Sequence, residues 1–359
     1  MPKVRPPSPG ASRPDRPGQT PRRRWLLFAL VSVLIVAALV GYLAVERQRR
    51  AAADQAAVEK EAATTRLDAD DVAAEAHLVV RNTEAGPSYG HVALVPLSDL
   101  SGPRAILPMT CERVSATDAG GICLTGGDGP ITEHHALLLE ADLVQQTDLD
   151  LGGLPSRARV SAAGSYAAST VFVTGHAYTD AGFSTETLIY DLTDQAPVGN
   201  IESWPTFRDG QQVTAADRNY WGVSFAGDGP LFYATMGTGG TTYLVEGDLD
   251  NQRMTVLQEN AACPSVSPDG TRVVYKQVDA ATGDAPLVML DLRTQQIVPL
   301  GETRPVDDQV TWLDDETVVY AVGQGASSFV NFDIWAASVD GGQPRLLVAD
   351  AASPSVITG

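Results

Sequence analysis

The 359 residues divide into a basic amino-terminal part and a strongly acidic remainder. Residues 1–70 hold 12 Lys and Arg against 7 Asp and Glu, whereas residues 71–359 hold 13 against 37, a formal charge of −24 for that part. A negative field of this size repels phosphate backbones, so the composition argues against nucleic-acid binding and favours cationic partners.

The chain opens with a polar tail followed by an apolar run. Residues 1–24 are rich in Pro, Arg and Ser, which predicts a disordered basic tail. The segment from Trp25 to Val45 is 21 residues without a charge, and a helix rising about 1.5 Å per residue would span a ~30 Å hydrocarbon core over that length. We therefore expect a single transmembrane helix at 25–45.

Seven basic residues precede the apolar run, and fewer, diluted by acidic ones, follow it. The positive-inside rule then predicts a cytoplasmic amino terminus and places the rest of the chain outside the cytoplasm. The alternative is a cleaved signal peptide, because Ala51-Ala52-Ala53 offers small residues. The apolar run is, however, longer than the ~7–15 residues of a signal-peptide core. Residues 46–77 contain strong helix formers and few large apolar side chains, which indicates a helical stalk.

Residues 78–359 repeat one pattern of four short strands. Its clearest copy begins at Cys263-Pro264-Ser265-Val266-Ser267-Pro268-Asp269-Gly270 and continues through apolar strands at 272–275, 287–292 and 297–300. With Val266 as the anchor, the equivalent residues are Val114, Val160, Val223, Val310 and Val356. They are spaced by 46, 63, 43, 44 and 46 residues. Four strands at this spacing predict a β-propeller, with an excursion between blades at Ile201 to Val213.

The two ends of this repeat region complete one another. Residues 351–356 match 261–266 at five of six positions, yet the sequence has only three further residues. Leu78 to Asn82, His91 to Pro96 and Arg104 to Leu107 match the remaining three strands. We therefore predict an all-β domain at 78–359, a six-bladed β-propeller closed by its N- and C-terminal strands, which leaves no open sheet edge.

The segment Ser267-Pro268-Asp269-Gly270, with Val273-Val274-Tyr275 after it, resembles the repeat of TolB-like (WD40-like) six-bladed propellers. Weaker copies cover 78–359. The resemblance implies an extracytoplasmic propeller that binds proteins or peptides, and it brings no catalytic residues with it.

Motifs for chemistry are sparse. There is no GxSxG nucleophile elbow, and the glycines of Gly237-Thr238-Gly239-Gly240 lie between strands, so we expect a loop rather than a phosphate site. His134-His135 would point to opposite faces of a strand, which disfavours a shared metal ion. Asp307-Asp308 and Asp314-Asp315-Glu316 could hold Ca²⁺, but a solvated acidic face is the favoured interpretation. We expect no metal and no cofactor.

Aromatic and basic residues gather within and just after the excursion. They are Trp204, Phe207, Arg208, Arg218, Tyr220 and Trp221. Large aromatic side chains with Arg on a loop are typical of binding hot spots, and this cluster is the candidate binding surface. The alternative is that the excursion packs onto the propeller.

The three cysteines suggest one bridge. Cys111 lies three residues before anchor Val114 and Cys123 lies on the next strand, so the two face each other across a hairpin. Oxidation is permitted outside the cytoplasm, and we predict a disulfide between them. Cys263 has the position of Cys111 in a blade across the axis, which predicts a buried free thiol.

These features predict a membrane-anchored propeller that binds an envelope protein or peptide at its channel mouth, as a scaffold or sensor. The alternative is a propeller enzyme, such as a glycosidase or lyase, that uses channel carboxylates. A further possibility is that residues 1–24 bind a cytoplasmic partner. Fold alone does not decide among them.

Overall fold

The computed structural model describes residues 21–63, 66–126, 133–173, 184–227, 229–324 and 331–358. The chain forms two compact units, Met1–Lys60 and Glu61–Gly359. The described residues of the first unit belong to helix α1, Pro21–Ala63, whose last three residues are assigned to the second unit. Within this helix Trp25–Ala52 has a mean hydropathy of 2.8 and exposes its large apolar side chains, so by length and composition this segment could cross a membrane. The helix continues without a break through most of the predicted stalk.

A short helix precedes the blades within the second unit. Helix α2 (Ala69–Ala73) begins at Asp68, whose carboxylate accepts hydrogen bonds from the backbone N–H groups of Asp70 and Asp71, two of the free donors at a helix start. Val72 is buried, and Leu67 packs beside it against the first blade. The packed part of this unit therefore begins before Leu78.

Six sheets form the blades, and apart from one parallel pair in blade 4 their strands pair antiparallel. Blade 1 contains β1 (His77–Asn82), β2 (His91–Pro96) and β3 (Ala105–Thr110). Blade 2 contains β4 (Arg113–Thr117), β5 (Gly120–Gly126), β6 (His134–Leu139) and β7 (Gln145–Leu151). Blade 3 contains β8 (Leu154–Val160), β9 (Tyr166–Val173), β10 (Ser184–Asp191) and β11 (Ala196–Asn200). In blades 2 and 3 the first strand in sequence, β4 or β8, lies innermost, next to the channel.

The second half of the chain continues the series. Blade 4 contains β12 (Thr206–Arg208), β13 (Gln211–Gln212), β14 (Asn219–Phe225), β15 (Leu231–Thr238), β16 (Thr241–Asp248) and β17 (Arg253–Glu259), and a 3₁₀ turn at Ile201–Ser203 precedes it. Blade 5 contains β18 (Ala261–Val266), β19 (Arg272–Gln277), β20 (Leu287–Asp291) and β21 (Ile297–Pro299). Blade 6 contains β22 (Thr311–Trp312), β23 (Thr317–Gly323), β24 (Phe332–Ser338) and β25 (Arg345–Val348). The last strand is β26 (Ala351–Ile357).

The C-terminal strand closes the ring. Strand β26 pairs antiparallel with β1, with His77 opposite Ile357 and Leu78 opposite Val356, so blade 1 has the strand order β26-β1-β2-β3. Arg104 reinforces the junction by donating to the carbonyl oxygens of Ala349 and Asp350. The predicted six-bladed propeller with a composite blade is confirmed.

The excursion before blade 4 widens that blade. Strand β12 pairs in parallel with the outer strand β17, and β13 pairs with β12, so the sheet order is β13-β12-β17-β16-β15-β14. The long interval between the anchors Val160 and Val223 therefore contains two additional outer strands.

Neighbouring blades bury both faces of each sheet. Val80 and Val95 of blade 1 pack with Val319 and Ile334 of blade 6, and the same kind of cluster joins the other neighbours. A strand buried on both faces has no polar side to alternate with, and this explains the continuous apolar runs in the sequence.

Hydroxyl side chains join the inner strands of adjacent blades. The Oγ atoms of Ser115, Ser224 and Ser355 accept hydrogen bonds from the backbone N–H groups of Val160, Val266 and Ala116, at 3.1, 3.0 and 3.1 Å. An inner strand has one edge without a partner strand, and a buried N–H group without a partner destabilises the fold. The Ser next to an anchor Val therefore has a structural role.

Candidate functional site

The inner strands of all six blades line one cavity of ≈ 400 Å³. Each strand contributes at least one polar residue, namely Ser115, Arg159, Ser224, Ser265, Thr311 and Ser355. The turns that follow the inner strands complete its rim, where Asp118 and Asp314 lie. We call this space the mouth cavity. Its volume falls in the ~300–1,000 Å³ range that is usual for ligand sites.

Arg159 is the cationic residue of the mouth cavity. Its guanidinium donates to Thr311 Oγ1 at 3.1 Å and to the carbonyl oxygen of Val310 at 2.9 Å, and both acceptors are neutral. Within the described ranges no carboxylate lies at ion-pair distance from it, and its Nε is buried without a hydrogen-bond partner. Burial lowers the pKa of Arg159, and the more distant Asp308 and Cys263 offset this only in part.

A second group of charges lies near the beginnings of the inner strands. Arg113 Nη1 lies 3.0 Å from Asp307 Oδ2, and Arg157 Nε lies 3.0 Å from Asp308 Oδ1. Arg113 also lies 3.8 Å from Asp308. We call these four residues the channel cluster. Lys276 of blade 5 donates to the carbonyl oxygen of Asp307, which adds a third cation beside the two carboxylates.

The opposite charges of the channel cluster compensate one another, while Arg157 Nε and Asp307 Oδ2, like Arg159 Nε, are buried without a hydrogen-bond partner among the described residues. Burial by itself would raise the pKa of Asp308, but Arg157 and Arg113 outweigh it and hold that pKa below its usual range. Burial likewise would lower the pKa of Arg157, and Asp308 and its other anionic neighbours reverse this, so the net direction is upward. A carboxyl with a lowered pKa is poorly suited to general-acid catalysis.

The interpretation of Asp307-Asp308 as a solvated acidic face is therefore wrong. Both side chains are largely withdrawn from solvent because three cations contact them or the backbone next to them. Asp314-Asp315-Glu316, by contrast, is an exposed turn in which Asp314 accepts from the backbone N–H of Glu316. In the described part of the chain, no group of three or more His, Cys, Asp or Glu could hold a metal ion.

Two buried side chains, Gln309 and Cys263, lie next to the cluster. Gln309 Nε2 donates to the carbonyl oxygens of Val223 and Pro264, which belong to two different blades. Cys263 is buried and unbridged, and its N–H donates to Thr235 Oγ1 at 2.7 Å. Gly222 has a φ of +67°, and a Cβ there would lie 3.2 Å from the Cα of Cys263, so the close approach of these strands requires glycine.

Two residues of the predicted binding surface are core residues. Trp204 is 4 % exposed and contacts the ring of Phe232, with centroids 5.9 Å apart. Tyr220 is fully buried, and its hydroxyl lies 2.7 Å from Thr206 Oγ1. The prediction that these two side chains contact a partner is wrong, because they have no surface to offer.

The remaining residues of that surface are dispersed. Arg208 lies on the outer edge of blade 4, where it stacks on Tyr243 and pairs with Glu259, while Phe207 stacks under Arg253. Arg218 donates to the carbonyl oxygen of Ala215. Trp221 is partly buried on the inner strand β14, so close to Gly237 that a Cβ there would meet its ring at 2.8 Å. The structure thus does not bring these residues together into one surface.

The histidines and cysteines have defined surroundings. His135 Nδ1 lies 2.9 Å from Asp148 and 3.6 Å from Asp150 on the neighbouring strand, while His134 Nδ1 is buried without a partner among described residues. Cys111 and Cys123 are bonded to each other, with Cα atoms 5.5 Å apart. The bridge links the connection between blades 1 and 2 to strand β5.

The arginines of the channel escaped the sequence reasoning, although a signal was present. Arg113 and Arg159 each directly precede an anchor Val, so they occupy the same position in consecutive repeats. Successive side chains on a strand point to opposite sides, so a charged residue directly before a buried anchor Val is a candidate to face the channel. A comparison of the residues next to the anchors would have revealed this pair.

Comparisons with known proteins place the fold. No protein-family model and no curated protein matches the sequence. Among solved structures, TolB from Acinetobacter baumannii is similar with a TM-score of 0.54 and 15% identity, over 78% of this chain and 66% of that chain. The chain shares its fold with TolB. The predicted resemblance is confirmed at the level of the fold.

Two further structures show the range of this likeness. The putative TolB from Agrobacterium tumefaciens has a TM-score of 0.49 and 12% identity, over 78% of this chain and 91% of that chain. A chain of the nidogen/laminin complex has a TM-score of 0.51 and 8% identity, over 78% of this chain and 98% of that chain. At identities this low, a TM-score above 0.5 shows a common fold alone, and function has to be argued from the channel itself.

Proposed function

We propose that the protein is a membrane-anchored scaffold or sensor whose propeller binds an envelope protein or peptide at the mouth cavity. The observation that carries this proposal is the convergence of six inner strands on one polar cavity of ≈ 400 Å³. Six strands of a closed ring hold the lining in place, so the cavity is preformed and a ligand need not order it.

The anchor in this proposal is helix α1, with residues 25–45 as the signal-anchor, 1–24 in the cytoplasm and the propeller outside. The apolar stretch of the helix, the seven basic residues before it and a disulfide suited to an oxidising compartment support the arrangement. The acidity of the propeller part then favours a partner that carries positive charge.

Binding at the mouth cavity is tested by blocking it. Ala162 is an exposed alanine of the cavity lining, and A162W would place an indole over the entrance without disturbing the core. We expect cross-linking pull-down of the full chain to lose its partner in A162W. A281W is the matched control, because Ala281 is equally exposed and lies outside the cavity lining. Unchanged capture by A162W would contradict binding at this site.

The orientation is tested independently. A protease added outside intact cells should digest the propeller and spare a tag fused before Met1, since the basic residues hold the amino terminus inside. Digestion only after lysis would reverse the proposed topology.

A further inference from the structure

The mouth cavity is rich in hydrogen-bond donors that the fold does not use. A serine hydroxyl that accepts one hydrogen bond still has its own proton to donate. Ser115, Ser224 and Ser355 all accept from backbone N–H groups and all line the cavity. Each therefore has a proton available for a ligand, and the three belong to blades 2, 4 and 1.

Arg159 adds a charged donor to these hydroxyls. A guanidinium has five N–H groups in a planar fork, of which Arg159 uses two on Thr311 and Val310 while a third, on Nε, is buried. Two N–H groups on the terminal nitrogens stay available at a residue that lines the cavity. A guanidinium withdrawn from water with no carboxylate at ion-pair distance is only partly compensated by the more distant Asp308, and a ligand carboxylate would supply a direct partner.

The comparison with Arg157 shows what is missing at Arg159. The two lie two residues apart on β8, where side chains at i and i+2 share a face. Arg157 has Asp308 at 3.0 Å, whereas no described carboxylate is paired with Arg159. The fold thus pairs Asp308 directly with Arg157, whereas Arg159, which lines the cavity, has Asp308 only as a more distant charge.

The rim has the opposite sign. Asp118 and Asp314 are both exposed at the edge of the cavity, on a propeller part with a formal charge of −24. This field repels a free small anion, so an anionic group reaches Arg159 most favourably when the same molecule carries a compensating cation. A peptide can provide both, with a carboxylate inside and a Lys or Arg side chain at the rim.

We infer that the mouth cavity recognises a carboxylate of a basic peptide. The carboxylate binds Arg159 and the seryl hydroxyls, and a cationic side chain of the same peptide lies beside Asp118 and Asp314. The carboxylate is either the carboxyl terminus or an Asp or Glu side chain, since both present the same two oxygens. This inference rests on the proposed function and specifies its ligand.

The experiment uses the full chain in nanodiscs of neutral lipid and three pools of N-acetylated hexapeptides, each with one fixed Lys. The first pool has free carboxyl termini and no Asp or Glu, the second is C-terminally amidated without Asp or Glu, and the third is amidated with one Asp. Mass spectrometry measures the peptides that the protein retains. We expect the first or the third pool to be retained about tenfold or more above the second, as a charge-assisted bidentate contact allows.

Variants locate the contact. R159Q should remove the advantage of the carboxylate pools, whereas R253Q, which removes the same charge from the exposed outer part of blade 4, should keep it. If R159Q fails to fold, R159K preserves the charge without the planar fork and should lose part of the advantage. Replacing the fixed Lys with Gln should weaken retention in the wild type, and D118N with D314N should reduce that difference.

The outcomes separate this inference from the proposed function. Equal retention of all pools, with A162W abolishing it, would overturn the carboxylate assignment while supporting binding at the mouth. A carboxylate preference that survives R159Q would also overturn it. If no pool is retained and A162W captures its partner normally, both proposals fail.

Discussion

Arg157 and Arg159 belong to one strand and point the same way, yet the two parts of the channel treat them differently. Around Arg157 the fold provides Asp308 and the backbone carbonyl of Asp307, and the buried side chains of Gln309 and Cys263 lie in the same part of the channel. Around Arg159 it provides two neutral oxygens and an open cavity. The contrast indicates that an arginine in this channel is structural where a carboxylate pairs with it directly. An arginine without such a direct partner is available to bind a ligand.

Deletion of residues 351–359 should have the largest effect, because both parts of the channel depend on closure of the ring. Without β26, blade 1 loses its inner strand, and strand β1 exposes an unpaired edge. We expect loss of the cooperative unfolding transition and aggregation, measured by thermal melting and light scattering. Deletion of residues 358–359 alone, which lie beyond β26, is the control and should melt like the full chain. Cooperative melting of the longer deletion would argue against closure by this strand.

Removal of each arginine in turn tests the contrast directly. R157Q leaves Asp308 with the longer 3.8 Å contact to Arg113 and the hydrogen bond from the backbone N–H of Gln309, and we expect a loss of about 3 kcal/mol in the free energy of unfolding. R159Q removes a cation that has no carboxylate at ion-pair distance, together with two hydrogen bonds to neutral oxygens, and we expect a change within about 1 kcal/mol. Denaturant unfolding of the full chain measures both. Equal losses would mean that Arg159 is as structural as Arg157.

The disulfide lies close in sequence to Arg113 of the channel cluster. Cys111 lies two residues before Arg113, and its carbonyl oxygen accepts from Arg81 Nε at 2.8 Å. A bridge across 12 residues is expected to contribute about 2–3 kcal/mol by restricting the unfolded chain. Reductant should lower the melting temperature of the wild type and leave a C111S/C123S variant unchanged. Non-reduced peptide mapping should show Cys263 as the free thiol, and a bridge to Cys263 would contradict the assignment.

The fold could be predicted from sequence because it depends on a repeated pattern. The anchor valines indicate the number of blades, and the match between residues 351–356 and 261–266 indicates that the C-terminal strand closes the ring. The site could be predicted only in part. Trp204 and Tyr220 have the composition of a binding surface, but whether an aromatic side chain faces solvent depends on the neighbouring blade that packs on it.

The ion pairs of the channel could not be predicted from the sequence. Asp307 and Asp308 are about 150 residues away in sequence from Arg157, and nothing in the local sequence of either indicates the other. Their pairing follows from the six-fold arrangement, which brings every inner strand to one axis. Only the position of Arg113 and Arg159 beside the anchors could have been read from the repeat.

The smallest expected effect concerns a carboxyl group that contrasts with Asp308. Glu202 accepts hydrogen bonds from Thr185 Oγ1 at 2.8 Å and from the N–H of Tyr220 at 3.1 Å. Burial nevertheless raises its pKa to about 8, because these hydrogen bonds and Arg218 compensate for the loss of water only in part. Asp308, with its paired arginines, is shifted in the opposite direction.

These opposite shifts give opposite dependences of stability on pH. A native pKa raised above the unfolded value of about 4.3 means that the native state binds more protons between that pH and about 8, so the contribution of Glu202 to stability falls as pH rises through this window. The contribution of Asp308 is present above its unfolded pKa of about 3.9 and is lost as pH falls through its lowered native pKa.

We expect the free energy of unfolding of the E202Q variant to rise relative to wild type by on the order of 1 kcal/mol between pH 5 and pH 8, since partial exposure screens the group. Denaturant unfolding across this range measures the difference, and E140Q, which changes an exposed carboxylate of blade 2, is the control for the loss of one negative charge. If E202Q and E140Q follow the same pH profile, Glu202 is ionised in the native state and Arg218 supplies its counter-charge, as Arg157 does for Asp308.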